Sequence, residues 1–217
     1  MTTMDFAKAR ELMVEQQVRP WDVLDPRILD VLSTLPREAF VAESHRKLAY
    51  ADLALPLAHG EFMMKPVLEG RTLQSLAVEA GDEVLEIGSG SGFMAACLGR
   101  LAREVVSIER HADLAEGARA RLAEQAVGNV GVVHADAFDW SNERRFDAIC
   151  VTGAVAEIPP RFMQWLKPGG RMFVIRGRSP AMEAVLVRGG GGGPPPPPPP
   201  PPRGGGPPPP PPRGGPP

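Results

Sequence analysis

The sequence predicts an α/β fold: a mostly parallel sheet with helices on both faces, preceded by a helical N-terminal extension. Three observations predict it. From residue 67 onward, short apolar runs alternate with helical periods and are joined by short turns. One of those turns, 88–92, carries three glycines between a strand and a helix. Before residue 67, apolar residues recur at helical spacing instead. Such alternation means parallel strands joined by right-handed crossovers.

Each element follows in order. Phe6, Ala9 and Met13 share one helix face. Asp25-Pro26 is a helix start, with Asp as N-cap and Pro at the first helical position. Ile28, Val31, Leu32 and Leu35 then repeat at helical spacing until Pro36 stops the helix. Residues 50–66 lack a clean period and read as loop with short extended pieces. A helix is expected over 67–80, a strand over 83–87 and a helix over 93–102. A second strand is expected over 104–108, a helix over 112–126 and a third strand over 129–133. A fourth strand follows over 146–151 and a short helix over 160–166. A KPGG turn over 167–170 leads to a fifth strand, 171–175, and a sixth over 184–187. The organisation is a helical segment with a substrate-side loop (1–66), a Rossmann-like core (67–188) and a tail (189–217).

Composition narrows the function. The tail holds 17 Pro, 10 Gly and 2 Arg and has no apolar side chain beyond proline rings. It is expected to stay disordered, as polyproline II broken by glycine. Its runs of nine and six prolines suit proline-recognition domains. Gly, Pro and Arg codons can all be written in G and C alone, so an artefact of read-through or assembly is the preferred reading. No apolar stretch is long enough to span a membrane. A net charge of -2 gives no electrostatic reason to expect nucleic acid. Cys97 and Cys150 fall in a helix and a buried strand, which excludes a disulfide scaffold and makes a reduced cytoplasm the expected setting. His45, His59, His111 and His134 show no metal-ligand spacing, so no metal is expected.

The chemistry lies in Val84-Leu85-Glu86-Ile87-Gly88-Ser89-Gly90-Ser91-Gly92. Glycines directly after a strand let a ligand approach the backbone, and the helix start beyond them offers unpaired N–H groups. The dinucleotide fingerprint spaces its glycines at 1, 3 and 6. Here they stand at 1, 3 and 5, after the acidic Glu86. This resembles motif I of class I S-adenosylmethionine-dependent methyltransferases. Glu109, at the end of the second strand, can accept hydrogen bonds from two ribose hydroxyls. The resemblance implies that Asp136, with Ala137 after the third strand, receives the adenine amino group. It also implies S-adenosyl-L-methionine as cofactor, held by Glu86, Gly88, Ser89, Gly90, Gly92, Glu109, Asp136 and Ala137.

A narrower resemblance covers about residues 10–178. Leu35-Pro36-Arg37-Glu38-Ala39-Phe40-Val41 is similar to the Val-Pro-Arg-Glu-x-Phe-Val signature of protein-L-isoaspartate O-methyltransferases. Ala49-Tyr50-Ala51-Asp52, Leu55-Pro56-Leu57 and Val151-Thr152-Gly153-Ala154 resemble further segments of that family. The resemblance implies protein repair, by methylation of the misplaced carboxylate of isoaspartyl residues in a protein or peptide. It also implies final strands beyond 184–187, which the tail cannot supply, so the C-terminal strand is expected to be missing.

One segment departs from the family. Its Gly-Gln-Thr-Ile-Ser-Gln-Pro loop is Gly60-Glu61-Phe62-Met63-Met64-Lys65-Pro66 here. Met64 replaces the serine regarded as catalytic, and a thioether cannot donate a hydrogen bond. The catalytic group is therefore unassigned. His59, Gly60, Met64, Lys65 and Thr152 are expected on the substrate side, with Lys65 offering a salt bridge to a carboxylate. His59 is expected to bond backbone. Two alternatives stay open: a methyltransferase for another acceptor, or a cofactor-binding protein with little catalysis.

Overall fold

The computed structural model describes residues 4–190. Helix α1, Phe6–Met13, starts at Asp5, whose carboxylate accepts from the Lys8 amide at 3.0 Å. It continues into a π-helical turn, Val14–Val18, and a 3-10 turn, Arg19–Trp21. Helix α2, Pro26–Thr34, is capped by Asp25 as the sequence predicts, and it buries Ile28, Val31 and Leu32. Strands β1, Leu55–Pro56, and β2, Phe62–Met63, pair as a small antiparallel hairpin.

The core then alternates. Helix α3, Pro66–Leu76, leads to β3, Glu83–Ile87, and α4, Phe93–Leu101. Strand β4, Glu104–Glu109, leads through α5, Ala112–Glu124, to β5, Val130–His134. Strand β6, Phe146–Val155, helix α6, Pro160–Gln164, and strands β7, Leu166–Arg178, and β8, Ala181–Arg188, complete the order. The six strands lie in the order β5-β4-β3-β6-β7-β8. β8 runs antiparallel to β7, and the other neighbours are parallel. The chain winds outward from β3 to β5 and then returns to the other side of β3. A crevice opens at such a switch point, outside the strands' carboxyl ends.

Successive side chains point to opposite faces of the sheet. Val84, Ala148 and Cys150 enter one buried cluster with Val18, Ile28, Leu32, Phe40 and Leu73. Residues of the N-terminal segment thus pack in the same cluster as α3 and α4. Leu85, Ile149 and Val151 face the other way, onto Phe162, Trp165 and Met172. Cys97 and Cys150 are buried free thiols.

Several local expectations change: the fourth core strand runs on to Val155, and the short helix after it ends at Gln164. The first core helix stops at Leu76, because Ala77 takes a left-handed conformation. The residues 167–170 expected as a turn fall inside β7, with a register break between Phe146 and Ala148. Gly169 N donates to Gly189 O and Gly189 N donates to Gly170 O, both at 2.8 Å, which draws this segment into the ladder. The sixth strand starts earlier than expected, because its exposed first residues, Ala181, Met182 and Glu183, pair with β7 along Arg176–Arg178. The tail beyond residue 190, and any seventh strand, lie outside the described residues. Among the described residues, no helix is long and apolar enough to cross a membrane.

Candidate active site

The glycine turn hangs from the ends of two strands. The Gly88 and Ser89 amides both donate to the Ile108 carbonyl of β4, at 2.8 and 3.3 Å. Gly88 has φ +101°, and a Cβ there would lie 2.6 Å from the Thr152 hydroxyl. Only glycine fits both the angle and the space. Thr152, in β6, donates to the carbonyls of Ile87 and Gly88 at 3.0 and 2.6 Å. Its hydroxyl ties the turn to β6.

A cavity of about 240 Å³ lies over this turn. Eight of the predicted residues meet at its wall: Gly88, Ser89, Gly90, Glu109, Asp136, Ala137, Met64 and Thr152. Glu109 is 4% exposed. One of its oxygens accepts from Gly90 N at 2.8 Å and the other from His111 N at 3.0 Å. A carboxylate offers about four acceptor sites, so each oxygen keeps capacity for a further donor. Asp136 is fixed by the Phe138 amide, which donates to its Oδ1 at 2.9 Å. Ala137 is buried beside it. These residues fit an adenosine cofactor: a glycine backbone for close approach, a two-oxygen acceptor for a ribose diol, and a second acid at the next strand end.

Five predicted residues lie elsewhere. Glu86 is fully buried behind the turn and does not line the cavity. It is hydrogen-bonded to the Ser107 hydroxyl, which is hydrogen-bonded in turn to Ser89. Its Oε1 has no partner. Burial is the main cause that pushes its carboxyl up to about 8; Ser107 opposes this and Glu109 adds to it. Glu86 therefore supports the turn from below. Gly92 is the N-cap of α4, and a Cβ there would lie 3.1 Å from Ala118 Cβ, so it serves the packing of α4 on α5. Gly60 turns the β1–β2 hairpin at φ +74°. Lys65 Nζ is 3.4 Å from Asp52 and outside the cavity wall.

His59 departs from its expected backbone contact. Its φ of +61° swings the ring onto the start of α5. Nε2 lies 2.8 Å from Asp113 Oδ1, and the ring stacks on His111 with centroids 4.0 Å apart and planes 3° apart. The sequence reading missed Leu57, Glu69, Phe93, Arg110, Phe138 and Phe162, all on the wall. Phe93, Arg110 and Phe138 stand one or two residues past Gly92, Glu109 and Asp136, and Leu57 lies in the Leu55-Pro56-Leu57 segment, so these four carry a local signal. Glu69 and Phe162 reach the cavity through packing between elements far apart in sequence.

A parallel sheet with its switch point beside β3, and a glycine turn under a cavity lined by two strand-end acids, define a class I S-adenosylmethionine-dependent methyltransferase. The family is narrower. The model of the protein-L-isoaspartate(D-aspartate) O-methyltransferase (PCMT) family matches residues 8–187, and the chain belongs to that family. It is 38% identical over 183 residues to a protein-L-isoaspartate O-methyltransferase of Koribacter versatilis, covering 84% of this chain and 82% of that one. It is 41% identical over 175 residues to one of Methylorubrum extorquens, covering 78% and 75%. A solved protein-L-isoaspartate O-methyltransferase superposes with a TM-score of 0.74 at 28% identity, covering 83% of this chain and 60% of that one. A Plasmodium falciparum structure in complex with S-adenosyl-L-homocysteine also reaches 0.74, at 17% identity, covering 86% and 91%, a likeness of fold.

Proposed function

We propose that this chain methylates the isoaspartyl carboxylate of damaged proteins in the cytoplasm, with S-adenosyl-L-methionine held by Gly88, Ser89, Gly90, Glu109, Asp136 and Ala137. One observation carries the reading: the Met64 loop and the glycine turn line the same cavity, so acceptor and cofactor sides share one space. When bound, the cofactor supplies a methyl group on a positively charged sulfur, which a carboxylate oxygen can displace. The acceptor is already ionised at neutral pH, so the protein needs to position and desolvate it, with no proton to remove. Glu109 and the close-packed glycine backbone shape the cofactor side; the amides of Gly88, Gly90 and Gly92 are already spent on Ile108, Glu109 and Ser89. Phe62, Met63 and Met64 shape the acceptor side and offer it no hydroxyl.

A second reading, transfer to a less polar acceptor, draws support from that apolar lining and from the commitment of Thr152 to backbone carbonyls. Calorimetry with S-adenosyl-L-homocysteine is expected to show binding, and its absence in a folded chain would sink both readings. An isoaspartyl peptide is expected to be turned over slowly by the wild type. Met64→Ser restores a donor to a charged acceptor, about 1.5–3 kcal/mol, and is expected to raise the rate roughly 10- to 150-fold. If neither protein methylates the peptide while both bind S-adenosyl-L-homocysteine, the isoaspartyl reading is wrong.

A further inference from the structure

Arg37 is a charged side chain with no solvent exposure. Its Nε donates to Glu69 Oε2 at 3.0 Å and its Nη2 to Glu69 Oε1 at 3.1 Å. Nη2 also donates to the Met64 carbonyl at 2.6 Å, and Nη1 donates to the Ala49 carbonyl. The guanidinium lies over the Phe93 ring, 5.4 Å from its centroid. Met64, Glu69 and Phe93 all line the cavity. They belong to three elements: the segment after β2, helix α3, and the first turn of α4.

Stability alone does not account for this arrangement. Apolar residues of similar volume often replace a buried ion pair at no cost in stability. The guanidinium provides something apolar residues cannot, a rigid fork that fixes several acceptors at once. Met64 stands two residues before α3, and the first amide to close that helix, Glu69 N, bonds Lys65 O instead. The Met64 carbonyl is thus outside the helix ladder, and Arg37 is its partner.

We infer that Arg37 is a positioning residue for methyl transfer: it holds the acceptor-side Met64 segment at a set place relative to the glycine turn and α4. The inference rests on the methyltransferase reading above. It acts through the Met64 backbone and through Glu69, so it concerns the acceptor side and leaves the cofactor side alone.

Two variants test it. Arg37→Lys keeps the charge but loses the fork. Arg37→Met with Glu69→Leu removes both charges together and leaves neither one buried alone. Both are expected to bind S-adenosyl-L-homocysteine within about 3-fold of the wild type. The kcat for isoaspartyl peptide is expected to fall roughly 10- to 100-fold, and Met64→Ser is expected to lose most of its gain when combined with either. With S-adenosyl-L-homocysteine bound, amide exchange over residues 61–65 should quicken, while β3 and α4 keep wild-type rates. The inference is overturned if a folded variant keeps kcat within 2-fold and unchanged exchange over 61–65. It is also overturned if cofactor affinity falls as far as kcat, since that is general damage. Should the double variant fail to fold, Arg37→Lys decides by the same criteria. Should the wild type not methylate isoaspartyl peptide, the function reading fails separately, and the exchange measurement alone decides the role of Arg37.

Discussion

Glu86 sits at the centre of the sheet with no solvent exposure, one residue before the strand ends. Burial pushes its carboxyl from an ordinary 4.5 up to about 8, so it is neutral at pH 7. The sign of the consequence follows from linkage. The unfolded chain releases this proton at a lower pH than the folded one, so folding takes up a proton between about pH 4.5 and 8. The contribution is fully present below the unfolded value and is lost as pH rises through the folded one. Glu86→Gln carries no such proton. The stability of the variant relative to the wild type is therefore expected to climb across this window, by at most about 1.4 kcal/mol per pH unit, and to level off above pH 8. Urea unfolding of both proteins at pH 5, 6, 7, 8 and 9 measures the gap, and parallel curves would contradict it. Glu109 was legible in the sequence because a strand end sets where its carboxylate points. Glu86 was misplaced because which face an acid takes in a five-residue strand depends on the strands beside it, here Ser107 on β4.

The β1–β2 hairpin is the element that closes the cavity. Leu57 comes within 3.0 Å of where a Cβ on Gly90 would stand, so the hairpin lies directly over the glycine turn. Its tip docks on the start of α5 through His59–Asp113 at 2.8 Å, the His59–His111 stack, and Glu61 at 3.7 Å from His111. α5 begins three residues after Glu109, so this contact joins the hairpin to the Glu109 end of β4. The His59 and Asp113 side chains are 42% and 61% exposed, so solvent screens their contact and it restrains the tip only weakly. His59→Ala is thus expected to speed S-adenosyl-L-homocysteine release roughly 2- to 5-fold. Stopped-flow release measures this, and an unchanged rate would mean the tip does not restrain the ligand. The hairpin was only partly legible, since strands of two residues show no alternation. The start of α2 was legible to the residue, because Asp25-Pro26 fixes it by local chemistry.

At the scale of the whole molecule, the two clusters and the residues packed on them draw their side chains from Phe6 through Val187. Residues 191–217 contain only glycine, proline and arginine. They offer no apolar side chain beyond proline rings, and the backbone groups of β8 that face β7 are already paired from Arg171↔Arg188 to Arg178↔Ala181. Gly189 matters more than anything after it, because its amide and carbonyl close the end of that ladder against Gly170 and Gly169. A chain ending at Gly190 is therefore expected to keep its Tm within about 2 °C and its S-adenosyl-L-homocysteine affinity within about 2-fold. A chain ending at Arg178 loses every β8 pair and uncovers Phe173 and Ile175 beside Leu186. It is expected to unfold or aggregate. Differential scanning calorimetry of the three lengths separates the possibilities. If the cut at Gly190 proves as damaging as the cut at Arg178, the proline-rich segment covers the outer edge of β8, and the sheet is completed by residues whose composition alone argues against it.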